Sequence, residues 1–303
     1  MRFFLFNDNM KLIVSSYQSG LGALTLFNID NEVTKLSQTD LTEPSFVIVS
    51  GHLIFTYSKK PLTLKVFTIV NNRFMLIDEL AVDIETLTHL AYDKKNSILY
   101  GASYKDGVVL RVSFKNAMFS DLKVLHMGGK CHCVTLVNDN VLVTNIEKDE
   151  LNLLDKDLNV LETISLDKGI GPRHTIVKND MYFVATEYSN ELLMIKNGKI
   201  IDRIKTISDT SVSNCATLFI DNDKVYVSNR GEETISIFKY QPKLELVKKY
   251  SVFGLHSRHM ILNEDKIISF NKNSDDITII NKETGKLETE IKFSKASCGA
   301  IYK

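Results

Sequence analysis

Two stretches that align without a gap decide the fold: HCVTLVNDNVLVTN at residues 132–145 and RHTIVKNDMYFVAT at residues 173–186. In each, a run of β-branched and aromatic residues is followed by an Asn-Asp pair and then by a second such run. These runs predict strands, and the short break between them predicts a hairpin. The pattern returns as NCATLFIDNDKVYVSN at residues 214–229, with two extra residues, and as RHMILNEDKIISFN at residues 258–271. The chain therefore repeats one unit of antiparallel strands.

The spacing of the copies identifies the architecture. They begin at residues 45, 88, 132, 173, 214 and 258, and a further copy begins at Cys298, so successive steps are 40–44 residues long. A period of about 40–45 residues with four strands per unit is typical of a propeller blade. Six units plus a part-unit at each end predict an all-β, seven-bladed β-propeller with four-stranded antiparallel blades. The N- and C-terminal strands, near Lys11 to Phe27 and near Ala300, would share one blade and close the ring. Since no linker divides the chain, we predict a single domain over residues 1–303.

Composition narrows the partners and the compartment. The 37 basic and 37 acidic residues balance, so no excess of positive charge favours nucleic acid or an acidic membrane. Four cysteines are too few for a disulfide framework, which fits a reducing compartment. The apolar start of the chain stops at Asn7, which favours a strand over a secretion signal. We expect a cytoplasmic monomer that binds neither nucleic acid nor membrane. Whether residues 1–9 add a strand or compete with the last residues for the closing blade stays open.

The repeat also predicts which polar side chains meet, because equivalent positions of the blades form a ring around the propeller axis. The first position of successive copies holds His132, Arg173, Asn214 and Arg258, although the two extra residues leave Ala216 as the alternative to Asn214. The end of the paired strand holds Glu187, Arg230 and Lys272. Together these side chains would line one mouth of the central channel, which we call the funnel. Ionisable groups crowded there are costly to desolvate unless they are paired or bind a ligand. We interpret the funnel as a functional site; the alternative is an ion-pair network that joins neighbouring blades.

One position later in the copies stand His89, Cys133, His174, Cys215 and His259. Strand alternation predicts that these side chains face away from the funnel. There they would pack between blades, with the imidazoles hydrogen-bonded to neighbouring backbone. The CHC sequence at residues 131–133 also admits a zinc site, because thiolate and imidazole are zinc ligands. Adjacent residues of a strand point apart, however, and the other aligned histidines belong to other blades. We therefore predict no metal and no cofactor.

The motifs resemble those of the lactonase-type seven-bladed propeller family, which includes the propeller-class 6-phosphogluconolactonases and the carboxymuconate cyclases. The strongest likeness is GPRH at residues 171–174, together with YVSNRG at residues 226–231. The PSF at residues 44–46 is similar to the start of an early blade. Where the family reads Asn-Glu-Leu, this chain reads Thr186-Glu187-Tyr188, so the acid is kept and the preceding amide is lost. The likeness spans the chain and is clearest from about residue 85 to residue 290.

That resemblance implies hydrolysis of a small anionic sugar lactone, with 6-phosphogluconolactone as the first candidate and without metal. Glu187 or His132 would activate water, while Arg173 and Arg230 would bind the oxyanion and the carboxylate or phosphate of the substrate. The remaining substrate contacts would come from Asn214, Asn229, Arg258 and Lys272. Two other functions stay open: a non-catalytic propeller that binds an anion or a partner, and a cyclase acting on an unsaturated dicarboxylate.

Overall fold

The computed structural model describes residues 10–208 and 212–303. Within those residues, 28 strands form seven antiparallel sheets of four strands each. The innermost strand of each sheet contacts the innermost strands of two neighbouring sheets, so the sheets are the blades of a closed ring. The predicted all-β, seven-bladed propeller is therefore confirmed. The question about residues 1–9 lies outside the described residues.

The strands follow one another outward through each blade. The first blade consists of β28 (Ala296–Tyr302), β1 (Met10–Ser16), β2 (Ser19–Ile29) and β3 (Val33–Thr42). The second and third blades consist of β4 (Ile48–Ser50), β5 (Leu53–Ser58), β6 (Thr63–Val70) and β7 (Arg73–Ala81), and of β8 (His89–Asp93), β9 (Ile98–Ser103), β10 (Val108–Lys115) and β11 (Met118–His126).

The remaining four blades repeat this order without interruption. The fourth and fifth consist of β12 (Cys131–Val137), β13 (Asn140–Asn145), β14 (Glu150–Leu154) and β15 (Val160–Ser165), and of β16 (Pro172–Lys178), β17 (Met181–Thr186), β18 (Glu191–Lys196) and β19 (Lys199–Lys205). The sixth and seventh consist of β20 (Asn214–Asp221), β21 (Lys224–Arg230), β22 (Thr234–Lys239) and β23 (Glu245–Ser251), and of β24 (Ser257–Asn263), β25 (Lys266–Asn271), β26 (Asp276–Asn281) and β27 (Leu287–Lys292).

The turns explain why the strands fold back where they do. Asn179 and Asp180 connect β16 to β17 with φ values of 50° and 57°, and Asn197 and Gly198 connect β18 to β19 with φ values of 50° and 70°. Two consecutive residues in this left-handed region make the tight turns that match the twist of a hairpin, and Asn, Asp and Gly tolerate them best. The Asn-rich breaks in the sequence therefore set the strand ends.

The hydrophobic core lies between the blades. On the facing sides of the fifth and sixth blades, one cluster contains Phe183 and Ala185 together with Leu218, Val227 and Phe238. Another cluster joins the seventh blade to the first through Phe270, Ile279 and Leu12. Since each blade buries its faces against two neighbours, a blade is stable only as a member of the ring.

Ring closure depends on β28, which pairs with β1 of its own blade. Ile13 lies opposite Ala300 and Lys11 opposite Tyr302, so the two ends of the chain are joined by backbone hydrogen bonds in one sheet. This confirms the predicted closing blade, and it covers strand edges that would otherwise be exposed.

We expect Gly299→Ala to weaken this closure. A Cβ at Gly299 would clash with the ring of Phe270 and approach the main-chain oxygen of Ile13 to 2.9 Å. The ring of Phe270 is fully buried, so overpacking should lower the free energy of unfolding by roughly 1–3 kcal/mol. Urea unfolding followed by circular dichroism would measure the loss.

Gly101→Ala is the matched control, because its Cβ would meet the flexible end of Leu87 at 3.0 Å. The control should lose less stability than Gly299→Ala. Equal losses in the two variants would contradict the assignment of a rigid contact at Gly299.

Candidate functional site

β-Bulges near the start of the innermost strands shape the channel along the propeller axis. In β16, Pro172 lies opposite Thr186 and His174 opposite Ala185, so Arg173 is the extra residue. Arg258 takes the same place between Ser257 and His259 in β24. A bulge bends its strand and re-aims the neighbouring side chains. Arg173 and His174 consequently line the same cavity, as do Arg258 and His259. The expectation that the histidines face away from the funnel is wrong for these two blades.

Three levels of side chains surround the axis, one residue from each blade at every level. The upper ring consists of Ser297, Ser45, Thr88, His132, Arg173, Ala216 and Arg258. The lower ring consists of Cys298, Phe46, His89, Cys133, His174, Thr217 and His259. The rim, at the end of each second strand, consists of Tyr17, Lys59, Tyr104, Ile146, Glu187, Arg230 and Lys272.

An ion-pair network holds two of the predicted catalytic arginines. Glu187 Oε2 lies 3.2 Å from Nε of Arg173, and Glu187 Oε1 lies 3.1 Å from Nη2 of Arg230. Arg230 also donates to the main-chain oxygen of Cys215 at 3.1 Å, and Arg173 donates to that of Ala216. Both arginine side chains are almost fully buried, whereas Glu187 keeps about a fifth of its side chain exposed. The network therefore fixes both guanidinium groups and opens to solvent on the side of the carboxylate.

A second cluster of positive charge surrounds Tyr17. Arg258 donates to the Tyr17 hydroxyl from Nε at 3.2 Å and from Nη2 at 2.8 Å. The amino groups of Lys272 and Lys59 lie 5.2 and 5.9 Å from the centre of the Tyr17 ring. Lys59 pairs with Glu43 at 3.2 Å. Arg258 and Lys272 have no carboxylate within ion-pair distance among residues 10–208 and 212–303. This side of the funnel carries uncompensated positive charge.

A small polar cavity lies under the rim between the two clusters. Its volume is about 30 Å³, and its walls include Tyr17, Ser45, Thr88, His132 and Arg173. A cavity needs roughly 10–15 Å³ by this measure to admit one water molecule. The cavity therefore has the size and polarity for water but is too small for a sugar, which would have to bind above it at the rim.

Burial and the arginines set the charge states of the funnel. Burial, reinforced by the charge of Arg173, keeps the pKa of His132 and of His174 well below 6.5, so both imidazoles are neutral at pH 7. Burial lowers the pKa of Arg173 to about 9, which still leaves it charged. Burial raises the pKa of Glu187, but the attraction of Arg173 and Arg230 outweighs that effect and lowers it below 4.5. Burial likewise opposes ionisation of Tyr17, yet the adjacent Arg258 brings its pKa below 10.

The structure gathers most of the predicted site residues. His132, Arg173 and Arg258 belong to the upper ring, and Glu187, Arg230 and Lys272 belong to the rim. Asn214 lies beside the ring, with its amide donating to the main-chain oxygen of Glu187 at 3.0 Å. The position equivalent to Arg173 is held by Ala216, because Cys215 lies opposite Asn229.

Asn229 does not reach the funnel, which corrects its prediction as a substrate-binding residue. Its side chain is fully buried. Its amide nitrogen donates to the main-chain oxygen of Thr206 at 3.2 Å and to the hydroxyl of Ser236 at 3.1 Å. Asn229 therefore holds neighbouring strands together, and strand alternation leaves Arg230 to face the site.

Tyr17, Lys59 and Tyr104 lie at the site but were not among the residues predicted from the sequence. All three stand at the rim position that identified Glu187, Arg230 and Lys272. Lys59 lies fourteen residues after Ser45, just as Glu187 lies fourteen residues after Arg173, so the repeat alone would have found it. Tyr17 follows once β28 and β1 are placed in one blade, and Tyr104 follows once the longer turn between β8 and β9 is counted.

Of the residues that were expected to pack between blades, Cys215 does so, whereas His174 and His259 have different partners from those expected. Cys215 packs between the fifth and sixth blades, as predicted, and contacts the Thr206 hydroxyl at 2.9 Å. The imidazoles bond to side chains rather than to backbone: His174 Nδ1 lies 3.2 Å from the Thr217 hydroxyl, and His259 Nδ1 lies 3.6 Å from Cys298 Sγ.

Comparison with known proteins identifies the family. The model of the family described as lactonase, 7-bladed beta-propeller matches residues 11–299. A 6-phosphogluconolactonase of Bacillus subtilis is 22% identical over 316 aligned positions, which cover 89% of this chain and 90% of that protein. The match therefore extends over nearly the whole propeller.

Solved structures show the same fold. A protein from Lactobacillus plantarum superposes with a TM-score of 0.89 at 17% identity, covering 98% of this chain and 100% of that one. The periplasmic gluconolactonase of Pseudomonas aeruginosa superposes with a TM-score of 0.87 at 15% identity, covering 98% of this chain and 99% of that one. No helix within residues 10–208 and 212–303 has the length and apolar character to cross a membrane.

We expect Glu187→Gln to destabilise the fold in a pH-dependent way. The variant leaves Arg173 and Arg230 buried without their counter-charge, which should cost roughly 3–5 kcal/mol at pH 7. Because the pKa of Glu187 is lowered from 4.5 in the folded state, its contribution is complete above about pH 4.5 and is lost as the pH falls through the folded-state pKa. The difference in unfolding free energy between wild type and variant should therefore be constant near neutral pH and shrink below about pH 4.

Urea unfolding at a series of pH values would measure this difference. Glu191→Gln is the control, since Glu191 faces the half-exposed Lys205 at 3.7 Å and should contribute little. A difference between wild type and Glu187→Gln that does not change with pH would show that the ion pairs are not its source.

Proposed function

The chain belongs to the lactonase family of seven-bladed β-propellers, and on that basis we propose that it hydrolyses a phosphorylated sugar lactone, with 6-phosphogluconolactone as the first candidate. One observation carries the proposal. The funnel combines a fixed pair of arginines on Glu187 with a second, uncompensated pair of positive charges at Arg258 and Lys272. A substrate with one reacting ester and one phosphate needs two positively charged regions, one for the oxyanion that develops at the ester and one for the phosphate. The name of the Bacillus subtilis relative supports the same substrate.

Arg173 is suited to stabilise the transition state. Attack of water on a lactone places negative charge on the former carbonyl oxygen, and a cation already in position stabilises that charge without reorganisation. The guanidinium of Arg173 borders the water-sized cavity and is held by Glu187 and by the main chain of Ala216. Arg230 forms an ion pair with the other carboxylate oxygen of Glu187 and adds a second guanidinium group to this side of the site.

His132 is the better of the two predicted bases by position. It lines the cavity that has room for water, whereas Glu187 is not part of the cavity wall and has each oxygen in an ion pair. In this mechanism, the neutral imidazole takes a proton from the attacking water and returns it to the leaving ring oxygen, so no proton is gained or lost by the enzyme. Glu187 then acts as a positioning residue for the two arginines.

The second positive pair fits the phosphate. Arg258 offers a planar guanidinium fixed against Tyr17, and Lys272 adds a point charge on the same side of the rim. A phosphate dianion is bound well by such a combination, because the fork of an arginine can hold two oxygens and the ammonium group a third.

We expect the wild-type protein to release acid from 6-phosphogluconolactone, measured with a pH indicator. Arg173→Ala should lower kcat/KM by about 10²–10³, the usual cost of losing one group that stabilises an oxyanion. His132→Gln should lower kcat with little change in KM. Arg203→Ala is the control, because Arg203 lies on the outer strand β19, away from the funnel, where it pairs with Asp167.

Full activity of both funnel variants would overturn the mechanism. A wild-type protein that turns over no lactone but binds 6-phosphogluconate in calorimetry would instead support a non-catalytic anion-binding propeller. Turnover of an unsaturated dicarboxylate alone would support the cyclase.

The role of the second charge pair predicts a change of specificity. Lys272→Ala should raise KM for 6-phosphogluconolactone by about tenfold, the equivalent of roughly 1.4 kcal/mol, and should leave KM for unphosphorylated gluconolactone unchanged. Lys243→Ala removes an exposed lysine outside the rim and is the control. Equal changes for both lactones would mean that Lys272 does not bind the phosphate.

A further inference from the structure

The lower ring contains a cluster of metal-ligating side chains that the hydrolytic mechanism does not use. His89, Cys133 and His174 come from the third, fourth and fifth blades and converge on the propeller axis. One potential ligand atom from each lies within 4.8 Å of those of the other two. Although the two histidines belong to different blades, the ring brings them together, so the prediction of no metal does not follow from their positions in the sequence.

The cluster has unused bonding capacity. The Nδ1 atom of His89 is buried and has no hydrogen-bond partner among the described residues. His174 uses Nδ1 for the Thr217 hydroxyl, which leaves its Nε2 for a ligand. The Cys133 thiol makes weak contacts, one of 3.5 Å with the Thr135 hydroxyl and others with Thr175, and none of them is to a charged group. Because buried polar atoms are normally satisfied, an orphan nitrogen beside a second imidazole and a thiol points to a missing partner.

Ligand type and charge select the metal. A thiolate with two imidazoles favours soft ions with a filled d shell, and three ligands suit a trigonal site better than the four-coordinate geometry of structural zinc. Arg173 directly precedes His174 and lines the same cavity, so its positive charge lies beside the cluster. In that environment Cu(I) with one thiolate is neutral, whereas Zn(II) would leave a net positive charge that burial penalises.

We propose that His89, Cys133 and His174 bind one Cu(I) ion in the centre of the propeller. Binding releases the thiol proton of Cys133 to solvent and changes no oxidation state. Bonds of about 2.0–2.3 Å would place the ligand atoms about 3.6 Å apart, so atoms that now lie within 4.8 Å of one another must approach by at most about 1.2 Å. The proposed mechanism of lactone hydrolysis gives none of these three side chains a chemical role, although His174 also lines the cavity beside Arg173.

A route to this site exists on the face of the propeller opposite the rim. A cavity of about 380 Å³ lies there, and His89 and His259 form part of its inner wall. Its other walls are largely apolar and include Ile48, Leu90 and Phe219. The ion would therefore reach His89 without passing the arginines of the funnel.

The experiment is anaerobic titration of the purified full chain with Cu(I) in competition with the chromogenic chelator bicinchoninate. We expect one tightly held Cu(I) per chain, and at least a hundredfold weaker binding for Cys133→Ser and for His89→Ala. Cys131→Ser is the matched control, because Cys131 is another buried thiol of β12 but lies in an apolar cluster outside the ligand set. X-ray absorption of the loaded wild type should give one sulfur and two nitrogen neighbours.

Several results would overturn the proposal. They are a wild type that yields all its copper to the chelator, equal loss of binding in Cys133→Ser and Cys131→Ser, or stronger binding of Zn(II) than of Cu(I) in a parallel titration. A copper spectrum without sulfur would do the same, and it does not depend on whether any variant folds. Lactone hydrolysis by the metal-free protein is measured separately, so failure of one proposal does not imply failure of the other.

Discussion

The pairing of β28 with β1 is the constraint on which the rest of the structure depends. Each blade buries its faces against two neighbours, and the first and last strands supply the final contacts when they share a sheet. The axis, and every ring of side chains around it, exists only because the ring is closed. A site assembled from residues as far apart in sequence as Tyr17 and Arg258 is therefore a product of closure.

The bulges of the innermost strands determine what that closed ring can do. A regular strand would present every second residue to the axis, so each blade would contribute either an arginine or a histidine at this level. The extra residue in β16 and β24 lets both face the channel. Two rings of different chemistry result, with arginines and hydroxyls towards the rim and imidazoles and thiols beneath them. The same local irregularity explains a polar site for an anion and a separate set of soft ligands.

Electrostatics keeps the two levels distinct. Burial, reinforced by the charge of Arg173, keeps the pKa of the lower-ring histidines His89, His174 and His259 below 6.5, so the lower ring stays uncharged while Arg173 in the upper ring stays positive. Glu187 compensates two of the arginines at once, and Arg258 and Lys272 are left to attract an anion. The balanced composition of the whole chain gives no hint of this local excess, because acidic residues elsewhere on the surface cancel it.

The sequence by itself determined the blades, their number and the closing strand, because strand period, turn residues and repeat spacing are local properties that each copy carries. It also identified His132, Arg173, Glu187, Arg230, Arg258 and Lys272 as neighbours, since equivalent positions must meet on the axis. Only the tertiary structure decided that Ala216 rather than Asn214 occupies the ring, that Asn229 is buried away from it, and that Tyr17 belongs to the rim. It also decided that His174 and His259 face the channel. The reason is physical: a bulge shifts a side chain by one position without changing the hydrophobic pattern, and contacts between blades depend on where the ring closes.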